Sequence, residues 1–239
     1  MNRFAAELKI KLFADGADKA TMLEMYRNPL IQGFTTNPTL MRKAGISDYA
    51  SFARDVVQAI PDRPISFEVF ADDFGEMERQ ARIIAGWGAN VNAKIPVTNT
   101  KGEPCFDLVR KLTCEGIQLN ITALLTLDQV RCVASALRDG APAFISVFAG
   151  RIADTGIDPL PIMAASLKEI VDLPGVELIW ASPRELLNVV QANAIGCHII
   201  TATSDILKKL STLGKDLTQF SLETVQMFHD DARSSGFTL

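Results

Sequence analysis

Histidine is nearly missing from these 239 residues: His198 and His229 are the two that occur, and the four cysteines, Cys105, Cys114, Cys132 and Cys197, show no C-x-x-C spacing. That scarcity argues against a zinc site and against a disulfide framework, and it fits a reducing cytosol. An excess of positive charge is lacking too. With 24 Lys+Arg against 28 Asp+Glu, the net charge is −4. Without a basic patch, nucleic acid is not an expected partner, although local arginines can still hold a small anion. Long apolar runs are absent: none reaches the roughly 18 residues of a membrane span. The amino-terminal MNRFAAELKIKLF carries charges inside its apolar run, unlike a signal peptide. The expectation is a cytoplasmic chain with no membrane partner.

What is present is a core. Hydrophobic residues make up 48% of the chain, enough to bury a sizeable interior. Short apolar runs predict strands at 8–14, 33–36, 65–70, 91–95, 118–122, 143–148, 177–181 and 198–202. A helix-like segment follows each strand, with stretches of helical period such as 47–59, 74–86, 105–115, 127–139, 161–173 and 183–193. Strands spaced by helices indicate βα units and a parallel sheet. Eight such units in about 240 residues match a (β/α)8 barrel, typically about 250 residues. The fold expected is therefore α/β: a single-domain (β/α)8 TIM barrel over residues 1–239, with an additional, peripheral C-terminal helix at 221–234. A doubly wound open sheet is the alternative, but no G-x-G-x-x-G follows the first strand. No linker, low-complexity tract or repeat interrupts the chain.

In such a barrel the chemistry sits at the C-terminal ends of the strands. There the chain places Asp15, Thr35-Thr36-Asn37-Pro38, Glu68, Lys94, Asn120 with Thr122, Ser146 with Arg151, Ser182 with Arg184, and Thr201 with Thr203. A polar group at nearly every strand end converges on one mouth, which makes a site. No metal-ligand set and no flavin or nicotinamide fingerprint accompanies it. The side chains themselves are expected to be the catalyst, with no cofactor and no metal.

Lys94 is the candidate nucleophile. Its neighbours Val91, Ala93, Ile95 and Val97 are apolar, and desolvation disfavours the ammonium form of lysine. A free amine attacks a carbonyl to form a Schiff base, and the iminium is an electron sink for breaking the adjacent carbon–carbon bond. Asp15 is placed to handle the alcohol proton, and Glu68 with Thr122 could share an activated water. Each residue also has a plainer explanation: Lys94 snorkelling at a strand edge, Asp15-Gly16 forming a turn, Glu68 pairing with a surface lysine, Asn120 as a hydrogen-bonded core amide.

The stretches LFADGAD, GFTTNPTL, AKIPVT, LNITALLT, ISVFAGRIAD and WASPRE together resemble the transaldolase family over roughly residues 8 to 205. The Thr-Thr-Asn-Pro and Lys-Ile-Pro stretches are specific as a pair at this spacing. The resemblance implies a (β/α)8 barrel in which Lys94 forms the Schiff base, Asp15 is the acid–base for carbon–carbon cleavage, and Glu68 and Thr122 hold the catalytic water. It further implies that Asn37 and Asn120 hydrogen-bond the dihydroxyacetone portion, with Ser146 and Ser182 near it, and that Thr36 belongs to the substrate-binding set. Arg151 and Arg184 would clamp a terminal phosphate, since a guanidinium fork matches an oxyanion.

The family divides into transaldolases and short fructose-6-phosphate aldolases. The length is similar to the aldolases, but those carry glutamine where this chain has Glu68 and tyrosine where it has Leu125. Transaldolases carry phenylalanine at the Leu125 position. The implied activity is transfer of a dihydroxyacetone unit from an anionic ketose to an aldehyde acceptor. The alternatives are an aldolase releasing free dihydroxyacetone and a sulfofructose transaldolase, since two arginines suit a phosphate or a sulfonate. The expected partners are thus an anionic sugar substrate, an aldehyde acceptor and further copies of the chain. In the tail, Leu222, Val225, Met227 and Phe228 form an apolar stripe, which suits a homo-oligomer or packing on its own barrel.

Overall fold

The computed structural model describes residues 3–236. Among them, eight strands follow the chain: β1 (Lys11–Asp15), β2 (Ile31–Thr35), β3 (Ile65–Glu68), β4 (Val91–Pro96), β5 (Leu119–Leu124), β6 (Ala143–Val147), β7 (Val176–Trp180) and β8 (Ile199–Thr203). They pair in sequence order, all parallel, and β8 closes on β1. The expected (β/α)8 barrel with an additional C-terminal helix is what the chain forms.

The helices are α1 (Arg3–Ala6), α2 (Lys19–Tyr26), α3 (Pro38–Lys43), α4 (Tyr49–Ala59), α5 (Phe74–Ala85), α6 (Phe106–Cys114), α7 (Leu127–Leu137), α8 (Ala149–Ala153), α9 (Leu160–Glu169), α10 (Leu187–Ala194), α11 (Ser204–Lys208) and α12 (Leu217–Ser234). Local chemistry sets their starts. Asp18, Asn37, Asp48, Asp73 and Asp216 each accept a backbone N–H of the first turn, and Thr126 forms a capping box with Gln129, satisfying donors that a helix start leaves orphaned.

The strands are buried on both faces. One large cluster packs strands against the surrounding helices. A smaller one, made of Phe13, Phe144, Ile179, Ala181 and Ile199, fills the barrel interior. Phe13 meets Phe144 edge-on at 5.8 Å and lies over Gly33, where a Cβ would stand 2.4 Å from the ring. This apolar layer seals the barrel below the mouth.

The boundaries differ from the sequence expectation in instructive ways. β1 starts at Lys11 and includes Asp15 as its last residue, so Asp15 takes its direction from the strand rather than from a turn. β2 starts earlier, at Ile31. The segment expected to be helical from 183 begins only at Leu187, because Ser182 adopts a left-handed φ of 59° and holds the Pro183-Arg184 stretch as a loop. The tail helix begins at Leu217 rather than 221, where Asp216 caps it. α12 buries none of its residues. Its stripe of Leu222, Val225, Met227 and Phe228, joined by Leu217 and Phe220, is exposed rather than packed on its own barrel. No helix among the described residues is long and apolar enough to cross a membrane.

Candidate active site

Strand register brings three predicted residues into one row: Glu68 pairs with Lys94, and Lys94 with Asn120. Side chains alternate across a strand, so the buried row points into the barrel. Lys94 is 6% exposed. Its Nζ lies 3.2 Å from Glu68 Oε2 and donates to the Thr36 carbonyl at 3.0 Å. A lysine this deeply buried without partners would be costly. Here it has a carboxylate, a carbonyl and one open side.

That side faces a cavity of about 640 Å³ at the C-terminal ends of the strands. Asp15, Glu68, Lys94, Thr122, Asn37, Ser146, Arg151, Ser182 and Arg184 all line it, with Leu125, Thr35 and Thr201. A slightly larger cavity, about 740 Å³, opens at the opposite end of the strands and contains none of the predicted residues. The C-terminal mouth is the one with convergent polar groups, and barrel chemistry sits on that face.

Asp15 stands half-buried on the floor of the mouth. Burial pushes its carboxyl above the ordinary range and Glu68 adds to this, while Lys94 and a hydrogen bond from Thr35 pull it down. Thr35 Oγ1 donates to Asp15 Oδ1 at 2.7 Å and lies 2.6 Å from Thr201 Oγ1. Thr122 is buried, and its Oγ1 has no hydrogen-bond partner in the protein. An unpaired hydroxyl in such a place is free for a substrate or water. Next to it, Ala123 takes a positive φ of 64°, and the register of β5 against β6 shifts there. This local bulge re-aims the strand end at the mouth.

Two predicted substrate-contacting residues sit differently from expectation. Asn120 is fully buried beneath the cavity. Its Nδ2 donates to Ser66 Oγ at 2.9 Å, and its Oδ1 accepts from Ser146 Oγ at 2.7 Å. Thr36 is buried as well: its hydroxyl donates to the Ser66 carbonyl, and its own carbonyl holds Lys94. Asn37 lines the mouth, and its Oδ1 caps α3.

The two arginines occupy one side of the mouth. Arg151, on α8, stacks over Phe148 at 5.5 Å. Arg184 Nε donates to Asp154 Oδ1 at 2.9 Å, and its Nη2 donates to Asp154 Oδ2, a bidentate fork. The Arg184 guanidinium beside Asp154 holds that carboxyl below the usual carboxylate range. Gly150 permits the close approach of α8 to the Ser182 loop, since a Cβ there would stand 1.6 Å from the Ser182 carbonyl oxygen.

Ser66 and Asp154 were not singled out from sequence, and Thr35 and Thr201 were placed at strand ends without a role. The available signal for Ser66 is its position two residues before Glu68 on the same strand face. Asp154 offers none, because its partner is 30 residues away. Among the described residues no cluster of three or more metal-ligating side chains occurs.

Comparison with known proteins gives a consistent outcome. A family model described as Transaldolase/Fructose-6-phosphate aldolase matches residues 12–239. A protein of Dehalococcoides mccartyi named "Probable transaldolase" is 35% identical over 203 residues, which cover 84% of this chain and 90% of that one. A namesake in Streptococcus agalactiae is 36% identical over 217 residues, 90% and 95% of the two chains. Another, in Thermoanaerobacter, is 33% identical over 235 residues, 96% and 100%.

Proposed function

Because the chain belongs to the transaldolase/fructose-6-phosphate aldolase family, we propose that it is a transaldolase that moves a dihydroxyacetone unit between sugars through a Schiff base on Lys94. The observation that carries this is the enclosed amine: Lys94 Nζ, buried, 3.2 Å from Glu68 and on the same cavity as Asp15 and the unpaired Thr122 hydroxyl.

The steps follow from these positions. Lys94 Nζ adds to the C2 carbonyl of a ketose phosphate such as fructose 6-phosphate or sedoheptulose 7-phosphate. Glu68 and Thr122 handle the proton and the water lost as the carbinolamine becomes an iminium. Asp15 takes the proton of the C4 hydroxyl as the C3–C4 bond breaks, and the bonding pair moves into the iminium to give an enamine. The shortened aldehyde departs. An acceptor aldehyde then enters, the enamine carbon attacks its carbonyl, and Asp15 returns the proton to the new alkoxide. Hydrolysis of the iminium with the water positioned by Glu68 and Thr122 frees Lys94. Covalent attachment splits one hard step into easier ones, and proton transfer by a placed carboxyl contributes about 10²–10⁴-fold.

Arg151 and Arg184 at the rim suit the anionic end of the ketose, and a phosphate is the tail we assign to it. The relatives' names favour transfer over release of free dihydroxyacetone. Incubation with fructose 6-phosphate, with and without an added aldehyde, tests this: transfer requires the acceptor, whereas steady production of free dihydroxyacetone without one would contradict it. We also infer a homo-oligomer, supported by the uncovered apolar stripe of α12. Light scattering on a chain ending at Leu217 should show a smaller species, and an unchanged assembly would remove α12 from the interface.

A further inference from the structure

We propose that Thr201 is a positioning residue for Asp15, acting through Thr35 as the far end of a two-hydroxyl relay that orients the acid–base carboxyl. The proposal rests on the assignment of Asp15 given above and goes beyond it, since the hydrogen-bond partner of Thr201 is Thr35 and not Asp15 itself.

Topology makes the relay. β1 lies between β2 and β8. Asp15 is in register with Thr35, and Phe13 with Thr201. Side chains from alternate strands meet inside a barrel, so Thr35 and Thr201 touch across β1 at 2.6 Å, below the carboxyl. Ser66 and Asn120 meet in the same way across β4. Thr35 is 2% and Thr201 5% exposed, so bulk water is poorly placed to replace either hydroxyl.

Counting protons fixes the direction. Ionised Asp15 has none to give, and Thr35 has one. Thr35 Oγ1 therefore donates to Asp15 Oδ1, its 2.7 Å partner, and the Thr201 hydroxyl must donate to Thr35. A donor that itself accepts a hydrogen bond is a stronger donor. When Asp15 takes up the C4 hydroxyl proton on its other oxygen, Oδ2, Thr35 goes on donating to Oδ1, more weakly than to the carboxylate, and no hydroxyl has to turn. The carboxyl is thus held in both protonation states, which spares reorganisation during the reaction. The charged groups acting on Asp15 are Lys94 from β4 and Glu68 from β3. The two strands flanking it present hydroxyls.

Thr201→Val keeps shape and removes the hydroxyl, and Thr201→Ser keeps the hydroxyl. With a phosphorylated ketose and an aldehyde acceptor, Thr201→Val should lower kcat about three- to tenfold with KM nearly unchanged. It should also move the acidic limb of the pH–rate profile to higher pH, because the carboxylate loses support. Thr201→Ser should restore both. Borohydride trapping of the substrate on Lys94 should proceed in the Val variant, since Schiff-base formation does not use the relay. Should Thr201→Val fail to fold, Thr201→Ala supplies the same comparison. Trapping with wild-type kcat and an unmoved pH limb in the variant overturns the relay alone. A wild type that forms no trapped adduct overturns the site assignment beneath it.

Discussion

Lys94 Nζ and Glu68 Oε2 lie 3.2 Å apart on neighbouring strands in register. A carboxylate at that distance can take a proton from the amine and pass one to a departing hydroxyl. Glu68→Gln preserves shape but cannot accept the proton. We expect slower formation and hydrolysis of the Schiff base, by about 10²-fold, seen as slower single-turnover trapping. Unchanged trapping kinetics would leave Glu68 as a mere counter-ion.

Asp15 gives a prediction in which stability and activity move in opposite directions. Burial raises its carboxyl pKa in the folded chain. A group whose folded pKa lies above its unfolded value holds more protons when folded, so its ionised form disfavours folding at neutral pH and the penalty fades on acidification. Asp15→Asn should therefore raise Tm at pH 7, with the gain shrinking as pH falls towards the ordinary carboxylate range. Turnover should drop about 10²–10⁴-fold. A lower Tm at neutral pH would contradict the assignment of burial as the dominant cause.

Thr122 is tested by the same contrast. Its buried hydroxyl has no protein partner, and an unsatisfied buried group costs roughly 1–3 kcal/mol. Thr122→Val should keep or raise stability in denaturant titration while turnover falls about 10²-fold. Loss of stability without loss of turnover would make Thr122 a packing residue.

Arg184 is engaged by Asp154 before any sugar arrives. Exposed pairs contribute only about 0–1 kcal/mol, so a phosphate can displace the carboxylate at modest cost. Asp154→Asn should lower KM for a phosphorylated ketose several-fold, and Arg184→Ala should raise it about tenfold or more, with kcat the less affected constant in both. Equal KM values for wild type and Arg184→Ala would remove Arg184 from the anion subsite.

The barrel was legible because its strands are apolar runs with polar ends, and the apolar residues beside Lys94 pointed to a buried amine. The site's polar rim follows from reading strand ends as a common mouth; the register sets Glu68, Lys94 and Asn120 in one row, with Asn120 buried beneath the cavity. What escaped depends on distant partners. Ser66 gains meaning only from Asn120, 54 residues on, Thr201 only from Thr35, 166 residues back, and Asp154 only from Arg184. The short helices α2, α3, α8 and α11 have at most eight residues, too few turns for an amphipathic repeat to stand out. α2 and α3 are announced instead by caps at Asp18 and Asn37, while α10 starts late because the positive φ of Ser182 delays it.

Borohydride reduction in the presence of fructose 6-phosphate, followed by peptide mass spectrometry, tests the covalent role of Lys94 most directly. The wild type should carry a reduced three-carbon adduct on Lys94, and Lys94→Ala should carry none and turn over no sugar. Sugar turnover by an enzyme that leaves Lys94 unmodified, or that survives Lys94→Ala, would contradict it.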